Sequence, residues 1–192
     1  LEQSAAGDSA VRLTVMRTGT EANLTATHTI NYATGAATGD AATVATSGTD
    51  FTAHGTTTLT FASTTLNEGG ILSAADTTIT LTSVTNFATG GGVVTIEDED
   101  ISYSGITGNN LTGVVRGING TTAATHANGK AANETGMYVD VVGTDDSTSE
   151  IAENFALTIS SASVGTIADA TGIGTIIDND ASTVTYGKSA TF

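Results

Sequence analysis

The chain has 192 residues, with 20 Asp and Glu against 5 Lys and Arg, and its formal net charge at pH 7 is -15. So acidic a surface cannot replace the counterions around phosphate groups, which argues against nucleic acid and anionic membranes as partners. No apolar run approaches the ~20 residues of a membrane-spanning helix, so we expect no membrane insertion.

Three runs within the first 65 residues, "VRLTVMR", "HTINYAT" and "TTLTF", alternate apolar and polar side chains with a period of two, which is typical of strands with one buried face. The residues that alternate are Val11, Leu13, Val15, His28, Ile30, Tyr32, Leu59 and Phe61. Turn sequences such as "RTGT" and "TSGTD" separate the runs. We therefore predict short, threonine-rich strands in this part of the chain.

From residue 66 to residue 136 the strand-like runs become shorter and the glycines denser. "TTITL", "VVTIE", "ISYS" and "LTGVV" are each followed by a turn sequence. We interpret this block as a small β module inserted into a loop, where a long insertion costs little loop-closure entropy. Its "RGINGTTAATH" stretch resembles a module found in phage and other structural surface or tail proteins.

The period of two returns after residue 136. In "NFALTIS" the residues Phe155, Leu157 and Ile159 share one face, and no run of ten residues carries a convincing helical stripe. Many short strands joined by frequent turns predict an all-β sandwich.

Without the middle block, "SGTDFTA", "TDDSTSEIAENF" and the closing "GTIIDND" follow one another in an order that resembles the Calx-beta domain. The resemblance covers residues 1–65 and 137–180, and it implies an immunoglobulin-like sandwich that binds calcium at one end. The ligands that it implies are Glu2, Asp50, Asp146, Glu150, Asp178, Asp180 and the carbonyl oxygen of Thr148. The motif around residue 150 also contains Asp145 and Glu153.

Calcium takes about six to eight oxygen ligands, and crowded carboxylates repel one another unless a cation offsets their charges. The alternative is that these acids form the solvated rim of an acidic protein. A second acidic run, residues 97–100 in "TIEDEDISY", has no EF-hand spacing, and we interpret it as the solvated turn of a hairpin.

The last twelve residues, 181–192, read as one more strand after the acidic "DND" that closes the Calx-beta pattern. That pattern normally begins with a strand before the position of Glu2, and this chain begins almost at Glu2. We therefore expect a neighbouring copy to supply the first strand through Val184, Tyr186, Ala190 and Phe192. A tandem-repeat polypeptide and separate subunits that exchange strands both satisfy this expectation. The alternatives are a tail that folds back to complete its own sheet and a disordered terminus.

These features predict a structural protein at the cell surface or outside the cell, joined head to tail with copies of itself. The histidines lie in three separate segments with no zinc spacing, and no nucleophile elbow is present, so we expect no enzyme. Two alternatives stay open: a phage or viral tail or fibre component, and a glycan-binding surface module whose insertion takes an unknown surface ligand.

Overall fold

The structure, a computed structural model, describes residues 10–39, 43–145 and 148–178. The chain is nearly all β, in several antiparallel sheets, as the sequence predicted. The described elements are, in chain order, β1 (Ala10–Met16), α1 (Glu21–Leu24), β2 (His28–Ala36), β3 (Thr57–Phe61), β4 (Ser63–Thr65), β5 (Ile71–Leu72), β6 (Ile79–Thr80), β7 (Gly92–Ile96), β8 (Glu99–Tyr103), β9 (Gly105–Thr107), β10 (Asn110–Thr112), β11 (His126–Ala127), β12 (Ala131–Val142), β13 (Glu153–Ser160) and β14 (Thr171–Ile176). Within this described part, no helix is long and apolar enough to cross a membrane.

A first core lies between two antiparallel sheets, one in the order β14–β13–β2–β3 and the other containing β1 and β12. The shared face predicted for β13 is confirmed, because Phe155, Leu157 and the partly buried Ile159 all pack into this core, although Ala156 is buried as well. Phe51 is fully buried as well, and its ring stacks on that of Phe155 with 5.1 Å between centroids. Burying each such ring contributes about 1.5–3 kcal/mol relative to leaving it exposed.

A second core is formed by residues between 62 and 132, and it is separate from the first. It contains Leu72, Ile79, Ile101 and Leu111, all with no exposed surface. Strands β7 and β8 form a hairpin over it, and the turn places Glu97 at a φ of 53°. The small sheets β6–β10–β9 and β5–β11 cover its other sides.

Strand β12 connects the two cores, because it runs unbroken from residue 131 to residue 142 and pairs with β1, β4 and β7. The predicted boundary between residues 136 and 137 falls inside this strand. The register between β12 and β7 shifts beside Gly136. A Cβ atom there would lie 2.7 Å from the sulfur of Met16 and 2.9 Å from Cβ of Val93, so only glycine allows the strands to approach.

Strands β1 and β14 are edge strands of the two sheets that enclose the first core, and one terminus of each lies at the same end of that core. Among the described strands β1 pairs with β12 alone, and β14 pairs with β13 alone. Strand β1 begins with Ala10 opposite Val142, and β14 ends with Ile176 opposite Glu153. Since Thr52 donates its backbone N–H to the carbonyl of Val142, this is also the end that holds the turn around residue 50.

Candidate metal centre

Asp50 is positioned by a tight turn that its own carboxylate closes. Its Oδ2 accepts a hydrogen bond from the backbone N–H of Thr46 at 2.5 Å, and its own N–H donates to the Thr46 carbonyl at 2.9 Å. The next loop joins the same turn, because Thr144 donates its N–H to the Asp50 carbonyl at 2.9 Å. The side chain is therefore held at the end of the first core, where the residue is only 8% exposed.

Glu153 reaches the same place from strand β13. It is the first residue of that strand, two positions before the buried Phe155, so strand geometry puts both side chains on the core face. Asp50, Glu150 and Glu153 each bring a carboxylate oxygen within 4.8 Å of the others.

This crowding changes the acidity of Glu153. Burial raises the pKa of its carboxyl to about 7, together with the hydrogen bond to Asp50 and the negative charges of Asp50 and Glu150. The carboxyl of Glu153 is therefore harder to ionise near neutral pH than that of an ordinary glutamate.

A small cavity separates the carboxylates. Its volume is about 10 Å³, which is room for one water-sized particle. The cavity is lined by Asp50, Thr144, Glu150, Ile151, Glu153, Ile176 and Asp178. Asp178 is tied to the cluster, because its Oδ2 accepts the backbone N–H of Glu150 at 2.7 Å. Hard cations such as calcium prefer oxygen ligands of this kind.

The basic residues that the structure describes are engaged elsewhere. Four of the five are described: Arg12 binds Asp140, Arg17 binds the carbonyl oxygen of Glu134, Arg116 binds Glu99 and Lys130 binds Glu97. The fifth, Lys188, lies outside the described residues. In the described part of the chain no salt bridge joins a basic side chain to Asp50 or Glu153.

The structure brings together part of the ligand set that the resemblance implied. Asp50, Glu150 and Asp178 line one cavity. Thr148 is exposed and is not among the lining residues. Seven predicted positions lie outside the described residues, three of them metal ligands and four of them in the inter-subunit strand: Glu2, Asp146, Asp180, Val184, Tyr186, Ala190 and Phe192.

Glu153 is the acid that the implied ligand set left out. The signal for it was present in the sequence, because "ENFALTI" continues the alternation of Phe155 and Leu157 back to Glu153. A partly buried carboxylate at the first residue of a strand needs a hydrogen-bond donor, a cation or a proton to offset its negative charge.

The interpretation of residues 97–100 as a solvated turn is wrong for Glu99. The run does form the β7–β8 hairpin, but Glu99 is only 1% exposed. Arg116, more than 15 positions later in the sequence, binds its carboxylate through Nε and Nη2, both at 2.7 Å. Sequence spacing within the acidic run carried no sign of this distant partner.

No protein-family model matches the chain, and a search of the curated proteins finds no significant relative. The chemistry assigned to the cavity therefore rests on its geometry.

Proposed function

We propose that the chain is a calcium-stabilised structural unit of an extracellular head-to-tail filament or giant adhesin-like surface protein. The proposal takes the first core as an immunoglobulin-like sandwich of the Calx-beta type. The observation that carries it is the convergence of Asp50, Glu150 and Glu153 on one ion-sized cavity.

Calcium fits this cavity better than a proton does. A proton neutralises a single carboxylate and leaves the remaining negative charges facing one another, whereas a divalent cation binds several oxygens at once. Asp50, Glu150, Glu153 and Asp178 would hold the ion, since all four line the cavity. Because these side chains come from three separate segments, binding would fasten the loops at this end of the sandwich.

The outer side of β1, with which no described strand pairs, supports the head-to-tail part of the proposal. The end strand of a sheet presents unpaired backbone groups to which an extended segment of another chain can add. The seven residues of β1 span about 23 Å at ~3.3 Å per residue, so a twelve-residue tail is long enough to cover them.

The position of the carboxylate cluster gives the assembly a direction. Residue 178, the last described residue, lies at the carboxylate end of the sandwich, where β1 begins. A tail that reaches the next copy would enter at the far end of its β1, near Met16, and pair antiparallel to that strand. Carboxylate ends would then all point the same way along the filament.

Cross-linking between copies tests this arrangement, because the chain has no cysteine of its own. Chains with Thr14→Cys on β1 are mixed with chains carrying Tyr186→Cys and treated with a short bis-maleimide. We expect a covalent dimer at twice 19.0 kDa on a denaturing gel. Thr158→Cys on the inner strand β13 is the matched control and should give far less dimer.

The absence of dimer from the mixture would contradict the strand exchange. A chain with both Thr14→Cys and Tyr186→Cys that cross-links only within itself would show that the tail covers its own sheet edge. Native material that runs near 19.0 kDa when denatured indicates separate subunits, and a far larger species indicates tandem repeats of one polypeptide.

A further inference from the structure

The second core holds a buried charge cluster around Glu99 that the proposed calcium site does not use. Besides the two bonds from Arg116, the Glu99 carboxylate accepts the backbone N–H groups of Gly117 and Ala124, each at 3.0 Å. These donors lower the pKa of Glu99 to about 2, although its burial acts in the opposite direction. The carboxylate is therefore ionised throughout the neutral range.

His126 lies between this carboxylate and a second one. Its Nε2 is 2.7 Å from Oε2 of Glu99, and its Nδ1 is 2.8 Å from Oε2 of Glu97. Hydrogen bonds from Lys130 and His126 hold the pKa of Glu97 below its ordinary value, so Glu97 is ionised as well. Ionised carboxylates only accept hydrogen bonds, and hence both ring nitrogens must carry a hydrogen.

A ring that donates from both nitrogens is an imidazolium, and at this position only 2% of the residue is exposed. A neutral ring at this position would keep one hydrogen bond and turn a lone pair toward the other carboxylate. That contact would be repulsive, and a hydrogen bond to an ionised group would be lost.

The cluster fastens several segments of the second core together. His126 lies on β11, which pairs with Leu72 on β5. Arg116 also donates to the carbonyl oxygens of Ser73 and Ala124. Since Glu97 and Glu99 belong to the β7–β8 hairpin, residues 116–127 and β5 are held to that hairpin through these charges.

We propose that His126 is a proton-dependent clasp, which closes residues 116–127 onto the β7–β8 hairpin while protonated and loosens them when the proton is lost. Glu97 and Glu99 face the ring, Arg116 shares Oε2 of Glu99 with it, and Lys130 pairs with Glu97. Asp98 borders the same open cleft of about 460 Å³, which gives the proton a path to solvent.

His28 provides an internal contrast on the first core. Its Nδ1 lies 3.0 Å from Nη1 of Arg17, and a guanidinium group can only donate. This ring nitrogen must therefore accept, so the geometry at His28 requires a neutral ring. The two histidines of one molecule are thus assigned opposite protonation states.

Nitrogen-15 NMR of the full-length chain tests the assignment directly at pH 7.5. We expect both His126 ring nitrogens to show the shifts of protonated nitrogens, while His28 shows one protonated and one bare nitrogen. A bare nitrogen at His126 in the folded chain would overturn the proposal. The wild-type protein is used, so the result does not depend on whether a variant folds.

Hydrogen exchange tests the consequence for the segment. As the pH is raised and the His126 signal changes to the neutral form, the protection factors of the Gly117 and Ala124 amides should fall at least tenfold. The amide of Thr158 on β13 should keep its protection factor, because it lies in the first core. Constant protection at Gly117 and Ala124 after the ring has lost its proton would overturn the clasp. In a folded His126→Gln chain, the protection factors of both amides should not change over the same pH range.

Discussion

The two acidic clusters of this molecule solve the same electrostatic problem in different ways. Around Glu99 the chain supplies its own positive groups, Arg116 and His126, within hydrogen-bonding distance. Around Asp50 and Glu153 the described residues supply no basic side chain, and Glu153 instead has a pKa of about 7. The second core thus carries its own counterions, whereas we propose that an ion from outside completes the first.

The contrast between the two clusters shows that the number of acids in a cluster is a poor guide to metal binding. The run at residues 97–100 is the densest acidic run in the sequence, yet its buried member is neutralised within the chain. The acids around the cavity come from separate segments and have carboxylates for neighbours. Unbalanced charge, rather than acid count, marks the better candidate for a cation site.

The largest expected effect comes from removing the internal counterion. Arg116→Met leaves the Glu99 carboxylate buried with one of its positive partners gone, which should lower the free energy of unfolding by about 3–5 kcal/mol. Urea denaturation followed by circular dichroism measures the loss. Arg116→Lys keeps the charge but loses the two parallel hydrogen bonds to the carboxylate. Its free energy of unfolding should lie between those of Arg116→Met and the parent chain. A loss below 1 kcal/mol for Arg116→Met would contradict the account of this cluster.

The second-largest effect is expected from acid, which should lower the contribution of the Glu99 cluster to the free energy of unfolding. The folded-state pKa of about 2 lies below the ordinary value of 4.5, so the unfolded chain binds more protons between these values. The contribution of Glu99 is complete above about pH 4.5 and is lost as the pH falls toward 2, by up to about 3 kcal/mol. Urea unfolding between pH 6 and pH 3 should show it. A folded Glu99→Gln chain should lack this component, and identical pH profiles for both chains would contradict the prediction.

Calcium should stabilise the first core by a smaller amount. With a dissociation constant of about 10⁻⁴–10⁻³ M, typical of extracellular modules, ~10 mM calcium adds about 1.4–2.7 kcal/mol. Thermal melts with calcium and with chelator should therefore differ by several degrees. The difference should vanish in Asp50→Asn and persist in Asp169→Asn, an exposed acid away from the cavity. Coincident melts of the parent chain would exclude the site.

The pH dependence of calcium binding tests whether Glu153 is one of the calcium ligands. Calcium must displace the proton of Glu153, whose pKa is about 7, so the apparent affinity should fall about tenfold between pH 8 and pH 6. Without calcium, lowering the pH has the opposite effect and favours the folded state. Because the pKa of Glu153 is higher in the folded chain than in the unfolded chain, folding takes up a proton, and the free energy of unfolding rises as the pH falls from 7 toward 4.5. Calorimetric titration measures the affinity, and Glu153→Gln should remove its pH dependence. An affinity that does not change with pH would place Glu153 outside the site.

The smallest effect is expected at an exposed pair of the first core. Arg12 and Asp140 are joined by two bonds of 2.7 Å, but their side chains are 51% and 41% exposed. Arg12→Gln should lower the free energy of unfolding by less than about 1 kcal/mol, since solvent screens such a pair. Urea denaturation beside Arg116→Met gives the comparison, and equal losses would mean that burial does not separate the two pairs.

The strands were predictable because their signal is local. The alternation of Phe155 and Leu157 depends only on neighbours two residues apart, and extending it by one step would have placed Glu153 on the inward face as well. The nearness of Asp50 to Glu150 was accessible only through the resemblance, because about 100 positions separate the two residues.

The Glu99 cluster could not be predicted in this way. Its partners, Arg116 and His126, reach it only after the chain has passed through β9 and β10 and turned back. Sequence periodicity does not reveal contacts between residues so far apart in the chain, so the acidic run at residues 97–100 resembled any solvated turn. The second core thus required the three-dimensional arrangement, whereas much of the first core followed from its pattern.

A calcium titration followed by amide NMR tests the contrast between the two clusters most directly. The amides of Thr46 and Glu150 donate to Asp50 and Asp178, and those of Gly117 and Ala124 donate to Glu99. We predict saturable shifts for Thr46 and Glu150 as calcium is added, with Gly117 and Ala124 unmoved. Shifts at the Glu99 amides instead, or no saturable shift at Thr46 and Glu150, would contradict the account.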